Sequence, residues 1–426
     1  MEDSDEEILG VIRPNLIQDI RKVLAEYPDD GQILKEMIQN AEDAGAAKLK
    51  IVADMREFHH DIPPETVAQR PYLSFFKGPA LCVYNDEVFS DNDWKGIRML
   101  HLSVKEKDPL KVGRFGLGFK SVFHLTDRVV ILSGDYILYM DPFKNENSYC
   151  TRKRLSKLSG PELEAILHCV EASVFGISRE TFRRSFRGTL FWFPLRQAPS
   201  ELSRTLYSVQ KVVELLEAFK GEINSMLLFL NNIHRIAVYC RKTQQTFEDL
   251  LSVSLSVPCL ENVTRERKAY IRGIPKEDGV LPDRALYSEL TLTVQTKDNL
   301  HEETQNWRVV HYYPGKGELT AEQSTLCTDP ELSYRPSVGV AFPIPMPQDQ
   351  SFQSQVFCTM PLPVDTRSIT GLPVHVNGFF ALSQNRRHLK WPDQLRQRAH
   401  LESSVRWNLL LVEHLLPRAY VRLLEG

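Results

Sequence analysis

The sequence predicts an α+β protein in which helices lie on one face of a mixed, mostly antiparallel sheet, followed by a second α/β unit. Strand-like segments adjoin other strand-like segments more often than a doubly wound fold allows. The 426 residues exceed one ordinary core, so two domains are expected, 1–198 and 199–426. A chain that is 42% hydrophobic and 25% charged has the balance of a soluble globular protein, not a fibrous or disordered one.

The elements follow in order. A helix is expected from Asn15 to Tyr27, ended by Pro28, and a second from Gln32 to Ala44, closed by Gly45. Lys48–Ala53 alternates polar and apolar residues and reads as a strand. Arg56–Gly78, with Pro63, Pro64 and Pro71, has loop composition. Ala80–Tyr84 is a short buried strand, and Asp91–Leu102 an amphipathic helix capped by Ser90 or Asp91. Val129–Leu132 and Tyr136–Met140 flank a Ser-Gly-Asp turn as a hairpin, and Thr189–Phe193 is a further strand stopped by Pro194. The polar stretch Arg196–Ser203 is the expected boundary. Helices at Val209–Phe219 and Ser403–Leu415 belong to the second unit.

A formal charge of −3 gives no field that would make nucleic acid or an anionic membrane the expected partner. The longest obvious apolar run, Met226–Leu230, is far too short to span a bilayer. Met1–Glu7 is acidic, the opposite of a targeting leader. Seven scattered cysteines without a C-x-x-C pair read as reduced thiols, so a cytoplasmic setting is expected. His59-His60-Asp61, in a proline-rich loop, reads as solvent-facing and not as a metal site.

The chemistry concentrates in two segments. At about 100° per residue, Ile33, Leu34, Met37, Ile38, Ala41 and Ala44 form one apolar face of the second helix. Glu36, Asn40 and Asp43 stack along a line beside that face, and Lys35, Gln39 and Glu42 are expected opposite as a solvated stripe. A carboxylate–amide–carboxylate row at the edge of a core can face a pocket, although a surface polar row is the blander reading. Some seventy residues later, Val112-Gly113-Arg114-Phe115-Gly116-Leu117-Gly118-Phe119-Lys120-Ser121 places three glycines ahead of an expected helix. Glycines let backbone N–H groups approach an anion, and a helix N-terminus adds donors, which suits a polyphosphate. It is neither a Walker A loop, lacking G-K-[ST], nor a Rossmann turn, lacking a preceding strand.

Taken together, Leu34–Ala44 resembles the N-box helix of the GHKL ATPases, and Gly113–Phe119 resembles the lid box of their heat-shock-protein-90 branch. Arg187-Gly188-Thr189 resembles that superfamily's last motif. Gly31–Glu36, Gly78–Leu81, Asp108–Gly116, Leu125–Asp127 and Val374–His388 are similar to the sacsin repeat-region family within it. The resemblance implies a Bergerat-type sandwich, a middle- or transducer-like second domain, and an ATP- and Mg2+-binding, chaperone-type module acting in protein folding, with protein clients or cochaperones as partners. It implies Glu36 as the general base, Asn40 as the Mg2+ ligand and Asp43 in the nucleotide pocket. Gly113, Arg114, Phe115, Gly116, Leu117, Gly118 and Phe119 are implied at the phosphates, and Thr189 near the adenine. A second-domain cation, Arg386 or Arg387, is implied as a candidate for the γ-phosphate.

One stretch departs from the pattern. Where the superfamily carries D-x-G-x-G, this chain reads Asn85-Asp86-Glu87-Val88-Phe89. Asn85, or alternatively Asp86, is the candidate acceptor for the adenine amino group, and the glycines are replaced by larger, partly acidic side chains. Three readings stand: a slow ATPase, a nucleotide-binding pseudoenzyme, or an interaction domain whose pocket has closed.

Overall fold

The computed structural model describes residues 16–26, 29, 31–57, 71–98, 118–144, 148–184, 186–273, 281, 283–327, 329, 332, 334, 335–346, 352–363, 370–383, 388–392 and 401–425. Helices α1 (Leu16–Glu26) and α2 (Gln32–Ala44) lead into the first strands: β1 (Lys48–Asp54), β2 (Ala80–Asn85), β3 (Val129–Gly134), β4 (Tyr136–Met140), β5 (Cys150–Arg154) and β6 (Phe186–Pro194). The later strands are β7 (Arg235–Arg241), β8 (Phe247–Leu255), β9 (Leu286–Asp298), β10 (Glu302–Tyr313), β11 (Val338–Ile344), β12 (Val356–Cys358), β13 (Met360–Pro361) and β14 (His375–Gly378). They join in one mixed sheet of 14 strands, ordered β13-β12-β14-β11-β10-β9-β8-β7-β1-β2-β6-β3-β4-β5. All neighbours are antiparallel except β1·β7 and β12·β14.

The parallel β1·β7 pairing joins the two halves of the sequence, with Lys48 opposite Arg235 and Asp54 opposite Arg241. At its end a buried charge cluster closes the seam: Asp54 pairs with Arg56 at 2.5 Å and lies 3.6 Å from Arg241, whose guanidinium also donates to the Cys169 carbonyl at 2.7 Å. The expected boundary stretch begins with a packed residue. Arg196 is buried and donates to Asp127 at 2.7 Å and to the carbonyls of Phe123 and Thr126 at 2.6 and 3.0 Å.

Strand alternation sorts the apolar residues onto two faces. Ile51, Leu81, Val83, Ile131, Phe191 and Phe193 share one core with α1, α2 and the helix Val209–Met226. Val52, Cys82, Val130, Leu132, Leu190 and Trp192 point the other way, into a core with Ile166, Leu167 and Val170 of the helix Gly160–Val170. Helices therefore cover both faces of this half of the sheet, not the single face expected. Each strand carries apolar residues at both parities, and that is what requires cover on both sides.

Other expectations shift locally. The Asp91 helix closes after Gly96 within the described residues, with the Ser90 capping box as expected. The second-unit helix runs on from Phe219 to Met226. The last helix continues to Glu425 through a π-helical stretch at Leu411–Leu415. Pro417 follows it and has no N–H to bond back into the preceding turn, so the helical register loosens there. Among the described residues all seven cysteines are free thiols, and no helix is long and apolar enough to cross a membrane.

Two buried histidines in the second half set an acid limit. Burial, with Arg267 nearby, lowers His311 to about 3, and burial lowers His375 to about 4. Both stay neutral in the fold but protonate in the unfolded chain near 6.5. Their contribution to stability is therefore whole above pH 6.5 and is lost as pH falls toward the folded values, at up to about 1.4 kcal/mol per pH unit for each. In urea titrations the parent should lose more stability between pH 7 and pH 4.5 than His311→Gln does. Equal losses would mean that His311 does not titrate as the fold requires.

Candidate functional site

Helix α2 spans the residues its sequence marks out, and Gly45 ends it in the left-handed conformation at φ 87°. Its apolar side, Ile33, Leu34, Met37, Ile38 and Ala41, is fully buried. Glu36 is buried at 3% exposure, whereas Asn40 and Asp43 are half-buried, so the acid–amide–acid row opens from its first member toward its last.

The glycine-rich segment enters the described residues at Gly118, which begins a 3-10 helix, Gly118–His124, in place of the expected α-helix. Gly118 lies directly against the Glu36 carboxylate. A Cβ built there would sit 1.8 Å from Oε2 and 2.3 Å from Cδ, so no side chain fits while Glu36 holds its position. The two segments singled out in the sequence thus meet at this point. Ser121 Oγ donates to the Gly118 carbonyl at 2.7 Å and holds the turn. Phe119 packs 5.8 Å from Phe191. Gly113, Arg114, Phe115, Gly116 and Leu117 lie outside the described residues, as do His59-His60-Asp61, Arg386 and Arg387.

Lys120 was noted in the sequence only as a mismatch to a Walker loop, yet it is a buried cation two residues from Gly118. Its Nζ donates to the Ile97 carbonyl at 3.2 Å and lies 5.8 Å from the Phe119 and Tyr149 ring centres. Burial lowers it to about 8. A lysine two residues after the last glycine of the string was the available signal.

The other end of the site is occupied by the chain itself. Asn85 Oδ1 accepts from the Glu87 amide at 3.0 Å. Asp86 Oδ1 accepts from the Ala47 and Lys48 amides at 2.8 and 2.9 Å, fastening the segment to the turn beyond α2. Thr189, fully buried, donates to the Glu87 carbonyl at 2.8 Å and lies 2.8 Å from Ser133 Oγ, which in turn accepts from the Phe89 amide at 2.8 Å. Gly188, at φ 120°, allows this approach, because a Cβ there would come within 2.5 Å of the Asn85 carbonyl oxygen. Phe89 then stacks edge-on to Trp94 at 4.9 Å. All three candidate base-reading groups are thus engaged within the chain: Asn85 Oδ1 and the Thr189 hydroxyl with residue 87, and Asp86 Oδ1 with the Ala47 and Lys48 amides.

The second polar row corrects the sequence reading. Lys35, Gln39 and Glu42 are each 5% exposed, not solvated. Lys35 pairs with Glu222 at 2.5 Å and donates to the Pro361 carbonyl at 3.0 Å. Glu42 accepts from the amides of Asn231, Asn232 and Ile233 at 2.7, 3.1 and 3.0 Å. The periodicity of α2 separates the two rows, but the cover comes from Glu222 and from residues 189 to 326 positions later, which no local pattern reveals.

Among the described residues no group of three or more His, Cys, Asp or Glu side chains forms a metal cluster. A magnesium ion would take Asn40 as a single amide donor and complete its shell from water and phosphate, which is how this ion is commonly held. Asn40, half-buried, is the residue of the row with the donor chemistry for that ion. The base end, as folded, is filled.

A family model described as the Sacsin domain matches residues 13–252. The human protein Sacsin is 35% identical over 439 residues, an alignment covering 97% of this chain and 9% of that protein, so the chain spans less than a tenth of the relative's length. A solved structure described as the N-terminal domain of a DNA repair protein aligns at a TM-score of 0.38 with 11% identity, over 95% of this chain and 98% of the other. That score is too low to define a shared fold.

If Gly118 and Glu36 touch, their substitutions must couple. Gly118→Ala should cost about 1–3 kcal/mol by overpacking, and adding Glu36→Ala should recover much of that loss in a double-mutant cycle. Additive effects in thermal or urea unfolding would show that the two residues are apart.

Proposed function

The chain belongs to the sacsin-domain family, and from that premise we propose that it is a nucleotide-responsive, chaperone-type module which binds Mg2+ and polyphosphate, as ATP, along the Glu36–Asn40–Asp43 row. The reading rests on one observation: the Glu36 carboxylate and the Gly118 backbone touch, which draws the acidic helix and the glycine-rich segment to one place. The resemblance to the heat-shock-protein-90 branch of the GHKL ATPases, with its Bergerat-type sandwich and transducer-like second domain divided near residue 198, belongs to the same proposal. So do a cytoplasmic location and protein clients or cochaperones as partners.

When bound, magnesium ATP supplies the activated phosphoanhydride. Glu36 is the residue to receive a proton from a water molecule, because its carboxylate is held at the end of the row nearest Gly118. Asn40 offers Oδ1 to the magnesium ion, and Asp43 lines the more open end. Gly118, with no Cβ, lets the Glu36 carboxylate lie directly against its backbone. Lys120, a buried cation two residues beyond Gly118, is the basic residue on the glycine side of the contact. Hydrolysis, where it occurs, is slow on this reading, because the base end contributes little to positioning.

A second reading, a nucleotide-independent interaction module in a larger scaffold, is favoured by the internal bonds of Thr189 and Asn85. Calorimetry separates the two. The proposal expects heat on adding Mg-ATP, and competition by magnesium tripolyphosphate within roughly tenfold of ATP, since the base adds about 1.4 kcal/mol or less. It also expects Glu36→Ala to keep binding and lose turnover. No heat at several-fold above millimolar nucleotide would select the interaction module.

A further inference from the structure

Helix α2 carries two parallel polar rows, each spaced i, i+4, i+7, and every residue of one is the chain neighbour of a residue of the other: Lys35 beside Glu36, Gln39 beside Asn40, Glu42 beside Asp43. The first row meets Gly118 through Glu36. The second is buried against the later half of the sequence, where its two charged ends are held by separate elements. Lys35 bonds to Glu222 on the helix Val209–Met226 and to the Pro361 carbonyl on β13. Glu42 enters a socket in the turn between that helix and β7, where three successive amides point at its carboxylate and Asn232 Nδ2 adds a bond to its carbonyl at 3.1 Å.

The socket is polar on both sides. Arg267, fully buried on the helix Val257–Gly273, donates to the carbonyls of Leu227, Leu228 and Leu230, immediately before the three amides that hold Glu42. Burial lowers Arg267 to about 10 and raises Glu42, while each charge favours the ionised form of the other. Between the two anchors Gln39 Nε2 is buried with no acceptor among the described residues. An α-helix moves as a rigid unit over three turns, so any shift of residues 222–233 is passed along α2 to the carboxylate resting on Gly118.

We propose that Glu42 and Lys35 are positioning residues, which make the setting of Glu36 against Gly118 depend on the second half of the chain. This rests on the reading of the Glu36 row as a ligand site, but the mechanical link is testable without ligand. Glu42→Gln and Glu222→Gln each remove one anchor and leave the site row untouched; Glu222, with a side chain 28% exposed, is the variant least exposed to misfolding. In the full chain without nucleotide, each should speed amide exchange across Gly118–His124 by about tenfold, with the hairpin β3–β4 unchanged. Acceleration confined to residues 222–233, or equal acceleration everywhere, overturns the proposal, because it assigns the anchors a merely structural role. With Mg-ATP, both variants should lower kcat by roughly fivefold while KM stays within about twofold; an unchanged kcat with a raised KM also overturns it. A parent chain with no turnover counts against the ATPase reading alone, and the exchange result still decides the link.

Discussion

The structure depends on one close approach, the backbone of Gly118 against the buried carboxylate of Glu36. A carboxylate 3% exposed is costly to desolvate, and it fits there because Gly118 has no side chain to displace it. This contact joins the first turns of α2 to the turn Gly118–His124, and Phe119 packs that turn against Phe191 of β6. Replacing the hydrogen of Gly118 by any carbon would displace the Glu36 carboxylate.

The opposite end of α2 shows the complementary constraint. Asp86 caps the Ala47 and Lys48 amides, and Thr189 with Ser133 gathers the Glu87 carbonyl and the Phe89 amide. These bonds satisfy polar groups that would otherwise be buried without partners. They also bring Asp86–Phe89 onto the strand ends where a base-reading aspartate and two glycines stand in the resembled superfamily. Under the proposed function, phosphate and metal carry the binding and the base adds little.

Much of this was legible in the sequence. The limits of α2, the strands β1, β2 and β6, and the hairpin β3–β4 follow from apolar periodicity and from glycine and proline punctuation. The sequence singled out Glu36 and Gly118 by motif recognition, and the fold sets these two residues in contact. What escaped was non-local. Lys35 and Glu42 read as solvated because nothing near them in the chain signals the helix Val209–Met226 or the turn at 231–233. Cover on both faces of the sheet escaped too, because alternating apolar residues such as Val52 and Ile51 state that both faces are buried without stating by what.

The central claim is that Glu36, Asn40 and the Gly118 turn surround one metal–phosphate site. Amide relaxation of the isotopically labelled chain with Mn2+ and ATP tests it most directly, because the paramagnetic ion marks its own position. The account predicts that Mn2+ with ATP selectively broadens the amides of Asn40, Gly118 and Ser121, while Mn2+ alone does not. Broadening centred elsewhere, or none at saturating nucleotide, would contradict it.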